Sequence, residues 1–290
     1  MLYTIENERI RATVSSRGAE LTSVYGKATH CEYLWQGDEA TWKSQAPNLF
    51  PVCGRILEGE YTYAGKSYKM PAHGFARTME MTVEEKTDTA ITLRLTDNEE
   101  TREKYPFSFV FRVSYALSGD TVTVTYSAEN TDNKELIFAF GAHPGFRVPM
   151  GNDRPEDYAI RFDASIDAPK QILFINNFTS HDTKDFPLTD HAIPYSNEMF
   201  DTGSFFFTEM GNHVTLGSTV SGRFVRLDFE GFPVLGFWHT EDSGAPFLCI
   251  EPWESVPSYF DTPEALESKA MMNHLAPGGY YKKSYSITVG

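Results

Sequence analysis

The chain is short of positive charge. Its 290 residues carry 25 lysines and arginines against 40 aspartates and glutamates, a formal net charge of −15. No basic run appears, which excludes a surface that tracks nucleic-acid phosphates. The same balance disfavours anionic small molecules unless a local arginine pocket overrides it. Cysteine is scarce: Cys31, Cys53 and Cys249 are odd in number, and their spacing matches no zinc pattern. Reduced thiols in a cytoplasmic protein are the expectation. The opening stretch MLYTIENERI has neither a charged n-region nor an apolar h-region, so no secretory signal is expected. Apolar runs such as LIFAF (136–140) fall far short of the roughly 20 residues that cross a bilayer.

The chemical motifs that are missing narrow the field further. The sequence has no GxxxxGK[ST] loop, no GxGxxG after a strand, no HExxH, no cysteine–histidine cluster and no GxSxG elbow. No cofactor and no metal are therefore expected. A cofactor-free acid–base site or a pure binding site remains.

What is present is alternation and aromatic bulk. Aromatics make up 14% of the chain, mostly Phe and Tyr, residues that suit pleated, half-buried surfaces. In AITLRL (90–95), TVTVTY (121–126) and FVRLDF (224–229), every second residue is apolar, the period of half-buried strands. Ala64-Gly65-Lys66 and Ser118-Gly119-Asp120 punctuate such runs with turn chemistry. These features predict an all-β protein, a large antiparallel β-sandwich with few short helices, as one domain over residues 1–290. One helix is predicted over TPEALESKAMMNHL (262–275), with Thr262 as N-cap, Pro263 at the first helical position and Pro277-Gly278-Gly279 as the stop. The Asp-, Asn- and Pro-rich region 150–203 is expected to carry long loops.

Several residues stand where chemistry is done. His143 follows the apolar run LIFAFGA and precedes Pro144-Gly145-Phe146, so a rigid strand end aims its imidazole. A core histidine bonded to a carbonyl fits the same pattern. Glu251 ends the apolar run FLCI, and a carboxylate there needs a partner, because burying it unpaired is costly. Either an arginine ion pair or a reaction supplies one. Trp253 beside it is either a core ring or a platform for the apolar face of a sugar. His73, in PAHGF, sits in a segment that must turn, as a turn cap or a ligand-binding group. Arg55 is the one charge in NLFPVCGRI (48–56) and is expected to be a buried guanidinium seeking an acceptor. Asp201 is an acid among aromatics in MFDTGSFFF (199–207).

Taken in order, NLFPVCGRI, HGFAR, AHPGF and IEPW resemble the aldose 1-epimerase (galactose mutarotase) family, in its LacX-like branch. The likeness runs from about residue 48 to 254, and the strand-rich flanks agree with it. The resemblance implies a β-supersandwich and a cofactor-free exchange of hexose anomers. It implies His143 as general acid, Glu251 as general base, and His73, Arg55 and, less directly, Asp201 as sugar-binding residues. Where the family's longer signature has HPYFNL, this chain reads HPGFRV, so the sugar itself is left open. Three rivals stand beside this reading. One is a glycoside hydrolase using Glu251 with Asp201. Another is a sugar sensor without turnover. The third is an epimerase of hexose 6-phosphates, with Arg77 and Arg147 as phosphate ligands.

Overall fold

The threonine–valine alternation of residues 121–126 becomes the two faces of a strand. In the computed structural model, which describes residues 1–200 and 203–290, Val122, Val124 and Tyr126 are fully buried, while the intervening threonines are only half-buried. This strand, Thr121–Asn130, pairs antiparallel with Phe109–Ser118 across the two-residue turn Gly119-Asp120. Gly119 has φ +57° there, the left-handed backbone such turns require. Ala90–Thr96, Thr82–Lys86, Tyr280–Val289 and Phe224–Asp228 extend the pairing, and the complete sheet has nine strands.

A second large sheet runs Phe178–Asp185, Lys170–Ile175, Phe205–Thr208, Val234–Trp238, Phe247–Trp253, Gly141–Ala142 and Asn48–Leu49, with Gly145–Arg147 also on Phe247–Trp253. Inward residues of both sheets share one core, in which Val124, Leu227 and Ile287 of the first join Phe237, Leu248 and Ile250 of the second. Phenylalanines fill its middle: Phe50 stacks on Phe111 at 4.5 Å and packs against Phe109, Phe138 and Phe140. Each such ring contributes roughly 1.5–3 kcal/mol by leaving water. Among the described residues the regular structure is almost all antiparallel strand. Among the described strand pairs Glu264–Ala265 on Glu60–Tyr63 is the parallel exception, and the one α-helix among the described residues is Glu99–Lys104. The predicted hairpin around Ala64-Gly65 joins Glu60–Tyr63 to Lys66–Lys69.

The structure corrects one expectation about secondary structure. Residues 262–275 do not form a helix. Glu264–Ala265 and Asn273–Leu275 are strands, and only Leu266–Ser268 makes a short 3₁₀ turn. Specific tertiary partners outweigh the capping signals. Lys269 Nζ is buried against Val256 O at 2.9 Å and Glu264 Oε2 at 3.1 Å, and Asn273 donates to Glu254 Oε2 at 2.8 Å. Helix propensity, worth tenths of a kcal/mol per residue, yields to such contacts. Region 150–203 carries the expected loops, such as 163–169 and 186–191, but between them Tyr158–Phe162, Lys170–Ile175, Phe178–Asp185 and Ala192–Pro194 join the two large sheets. No helix among the described residues is long and apolar enough to cross a membrane. The three cysteines are free and buried.

Candidate active site

Strand Phe247–Trp253 is buried along its whole length, so its sequence reads as an unbroken apolar run with one acid. Alternate side chains leave it on opposite faces. Leu248 and Ile250 enter the shared core, whereas Phe247, Cys249 and Trp253 pack on the other face, which is also Glu251's. The neighbouring segments fix what stands across from Glu251. Gly141 lies opposite Trp253 and Gly145 opposite Cys249. His143, midway between the glycines, therefore falls opposite Glu251, midway on the other strand. Pro144 has no N–H to give the ladder, but its carbonyl accepts from Ile250 N at 3.1 Å, and His143 N turns instead to Pro47 O at 3.1 Å. Trp253 Nε1 donates to Ala142 O at 3.1 Å. The histidine is thus pinned on both sides to the strand that carries the glutamate.

The side chains meet. His143 Nε2 lies 3.2 Å from Glu251 Oε2, and Glu251 is 1% exposed. Sequence reasoning left open an arginine partner for this carboxylate; the partner is the imidazole. Neither Glu251 oxygen is in a hydrogen bond, even with the imidazole this near, and His143 Nδ1 is unpartnered too. Burial penalises both charges. It drives the Glu251 carboxyl well above the usual range and lowers the His143 imidazole to about 3, with Arg77 adding to that fall. Groups this close titrate as a unit, and the pair together holds one proton.

Around the pair opens a cavity of about 520 Å³, lined by His73, Arg55, Arg77, Trp42, Trp238 and Trp253 among others. Trp42 and Trp238 hold the His143 ring at centroid distances of 5.2 and 5.4 Å, and His73 stands edge-on to it at 5.4 Å. His73 is set by a turn in which it and Gly74 both have positive φ, +66° and +73°. Its main-chain N–H donates to Gly54 O at 2.7 Å, and its Nδ1 accepts from Gly54 N at 3.2 Å. Burial, with His143 and the cations Arg77 and Arg55, keeps its pKa well below the ordinary value. The neutral ring then carries its proton on Nε2, a donor for a ligand oxygen.

Five of the six sequence-derived site residues line this one cavity: His143, Glu251, Arg55, His73 and Trp253. The sixth, Asp201, lies outside the described residues. Arg55 is exposed at the rim rather than buried, contrary to its apolar sequence context, because it tops a turn whose neighbours Val52, Cys53 and Ile56 point inward. Arg147 is exposed on Gly145–Arg147 and is not part of the lining, whereas Arg77 is. Trp42, Trp238, Phe174, Phe206, Asn176 and Asn177 also line the cavity and were missed. Trp238 carried the same signal as Glu251, a polar-tipped residue ending a buried strand. Trp42 sits in a loop with no periodicity to mark it. Asn176-Asn177 is the two-residue turn of the hairpin between Lys170–Ile175 and Phe178–Asp185, both with positive φ.

Fold and cavity together define an all-β protein with a close, buried histidine–glutamate pair in an aromatic-lined cavity of about 520 Å³. A family model described as aldose 1-epimerase matches residues 1–288. Protein LacX of Lactococcus lactis subsp. lactis, chromosomal form, is 30% identical over the whole of this chain and 99% of its own. A galactose mutarotase related enzyme from Lactobacillus acidophilus superposes with a TM-score of 0.96 at 35% identity, covering 100% of this chain and 97% of that one. A galactose mutarotase-like protein from Lactobacillus casei gives 0.93 at 32%, with both chains fully covered. The chain belongs to the aldose 1-epimerase family.

Proposed function

We propose that the protein is an aldose 1-epimerase, an isomerase that exchanges the α and β anomers of a hexose without a cofactor. Opening a cyclic hemiacetal takes a proton from the C1 hydroxyl and gives one to the ring oxygen. Glu251 accepts the first and His143 donates the second, acting from the tautomer that keeps the pair's one proton on the imidazole. The C1–O5 bond breaks, C1 becomes an aldehyde, and rotation about C1–C2 presents its other face. Closure reverses both transfers, so the pair ends with the proton it began with. The observation that carries this reading is the 3.2 Å contact between two buried groups whose remaining polar atoms have no partner. Such atoms are costly when left unpaired and are satisfied by hydroxyls of a sugar. The tryptophan walls offer stacking faces, and Arg55 and His73 Nε2 supply donors. Freshly dissolved α-glucose or α-galactose tests the proposal: polarimetric relaxation must accelerate with protein and return to the spontaneous rate with Glu251→Gln.

A second substrate reading has a specific support. Among the described residues, neither Arg55 nor Arg77 is in an ion pair, yet both line the cavity. Two such cations suit an anionic substituent, as on a hexose 6-phosphate. Saturation-transfer NMR on glucose and on its 6-phosphate separates the two. Under this reading Arg77→Met slows exchange of the phosphorylated sugar far more than that of the neutral one.

A further inference from the structure

Cys249 has no part in the proton transfers, yet it stands beside them. It lies two residues before Glu251 on the same face of one strand, and His143 is across from Glu251 on the next. Its Sγ, an imidazole nitrogen of His143 and a carboxylate oxygen of Glu251 all fall within 4.8 Å of one another. We propose that these three residues form a capture site for a thiophilic divalent cation, Zn²⁺ or Cd²⁺, and that occupation shuts anomer exchange down. The second half rests on the proposed function; the binding does not.

The donor set argues for the kind of ion. One nitrogen, one sulfur and one carboxylate oxygen favour zinc-like cations over Mg²⁺ and Ca²⁺, which prefer all-oxygen shells. Both Glu251 oxygens are buried and without a hydrogen-bond partner, so coordination satisfies atoms that the protein leaves open. Because His143 and Glu251 line the cavity, an ion reaches them by the substrate's route, and Cys249, fully buried and outside that lining, supplies the third donor. Capture displaces the thiol proton and the proton of the pair into solvent. What remains is a thiolate, a neutral imidazole and a carboxylate bound to the ion, with neither acid nor base free to act.

The experiment uses the full-length protein, reduced and freed of metal, titrated with Cd²⁺. One equivalent is expected to raise the ultraviolet charge-transfer band of a cadmium–thiolate bond, and anomer exchange is expected to fall in step. Chelator restores exchange, and Mg²⁺ leaves it unchanged. Cys249→Ser keeps metal-free exchange, loses the band, and needs at least the roughly 10- to 100-fold more cadmium that loss of even a supporting partner costs. Cys249→Ala gives the same readouts if the buried site rejects a hydroxyl. No band in the wild-type protein, or a band that survives in both variants through Cys31 or Cys53, overturns the site. Exchange that persists with the band saturated overturns the shutdown. A protein with the band but without metal-free exchange upholds the site and refutes the epimerase reading instead.

Discussion

Glu254 holds Phe140 by two bonds. Its main-chain N–H donates to Phe140 O at 2.9 Å, and Phe140 N–H donates to its Oε2 at 2.9 Å. Asn273 Nδ2 and Tyr281 Oη donate to the same buried carboxylate at 2.8 and 2.5 Å. Glu254 lies three residues beyond Glu251 and Phe140 three before His143, so this clamp sets the offset of the two strands that bring the pair together.

The clamp predicts a positioning role for Glu254. Phe140 N–H and Asn273 Nδ2 both donate to one oxygen of its carboxylate, so Glu254→Met, which keeps the length but offers no oxygen acceptor, leaves both donors unpaired, at about 1–3 kcal/mol of stability. The register beside His143 loosens with it. We expect kcat to fall by roughly tenfold, equivalent to about 1.4 kcal/mol, with KM for hexose little changed. Steady-state kinetics well below the melting temperature checks this. A lowered Tm with unchanged kcat would reduce the clamp to a purely structural part.

Removing either member of the pair tests the chemistry. Glu251→Gln and His143→Ala should each cost roughly 100- to 10,000-fold in catalysed exchange, the usual worth of one acid–base group. Glu251→Gln should still bind sugar, because the amide fills the same space. Calorimetric titration with hexose separates the two effects. An intact rate in Glu251→Gln would sink the base assignment.

The pair also writes a signature into pH-dependent stability. Folded, it holds one proton, because burial raises Glu251 and lowers His143 to about 3. Unfolded, it holds two below about pH 4.3, one up to about 6.5 and none above. Between those values the proton counts match, and the pair leaves stability flat. Glu251→Gln breaks the match. The lone His143, neutral when folded and charged when unfolded, then loses stability as pH falls below about 6.5, at about 1.4 kcal/mol per pH unit. His143→Gln has the opposite effect, leaving a raised Glu251 whose stability is lost as pH rises above about 4.3. Denaturant midpoints from pH 4.5 to 7.5 should therefore diverge between the two variants. Parallel curves would mean that the groups are not coupled.

Much of this was legible in the sequence because burial and alternation leave direct marks. A strand buried on both faces must read as FLCI, and an acid at its end stands out by its cost. His143 and Glu251 were therefore visible one at a time. Their meeting was not, because it depends on register between segments more than 100 residues apart, which no local pattern encodes. The false helix at 262–275 shows the converse. Its caps were good local chemistry, but Glu254, Lys269 and Asn273 find long-range partners only in an extended chain. Arg55 was misread as buried because a turn had reversed which side of an apolar segment faces water.

The turn that presents His73 offers a last test. Gly74 has φ +73°, and a Cβ there would come within 2.1 Å of Phe50 O and 2.4 Å of Phe50 C. That same carbonyl accepts from Phe75 N and Ala76 N at 3.1 and 3.2 Å. Gly74→Ala cannot be relieved by a flexible side chain, because the obstacle is backbone. It pays left-handed strain of about 1–3 kcal/mol, and the turn must also withdraw from Phe50. His73 moves with it, away from Gly54 and the cavity wall. The expected result is a lower Tm and a raised KM, with kcat changed less. His73→Ala separates the two causes, since it removes the imidazole and its bond from Gly54 N but keeps the turn: KM should rise, while Tm falls less than in Gly74→Ala. If Gly74→Ala keeps both wild-type values, this turn does not place His73 for binding.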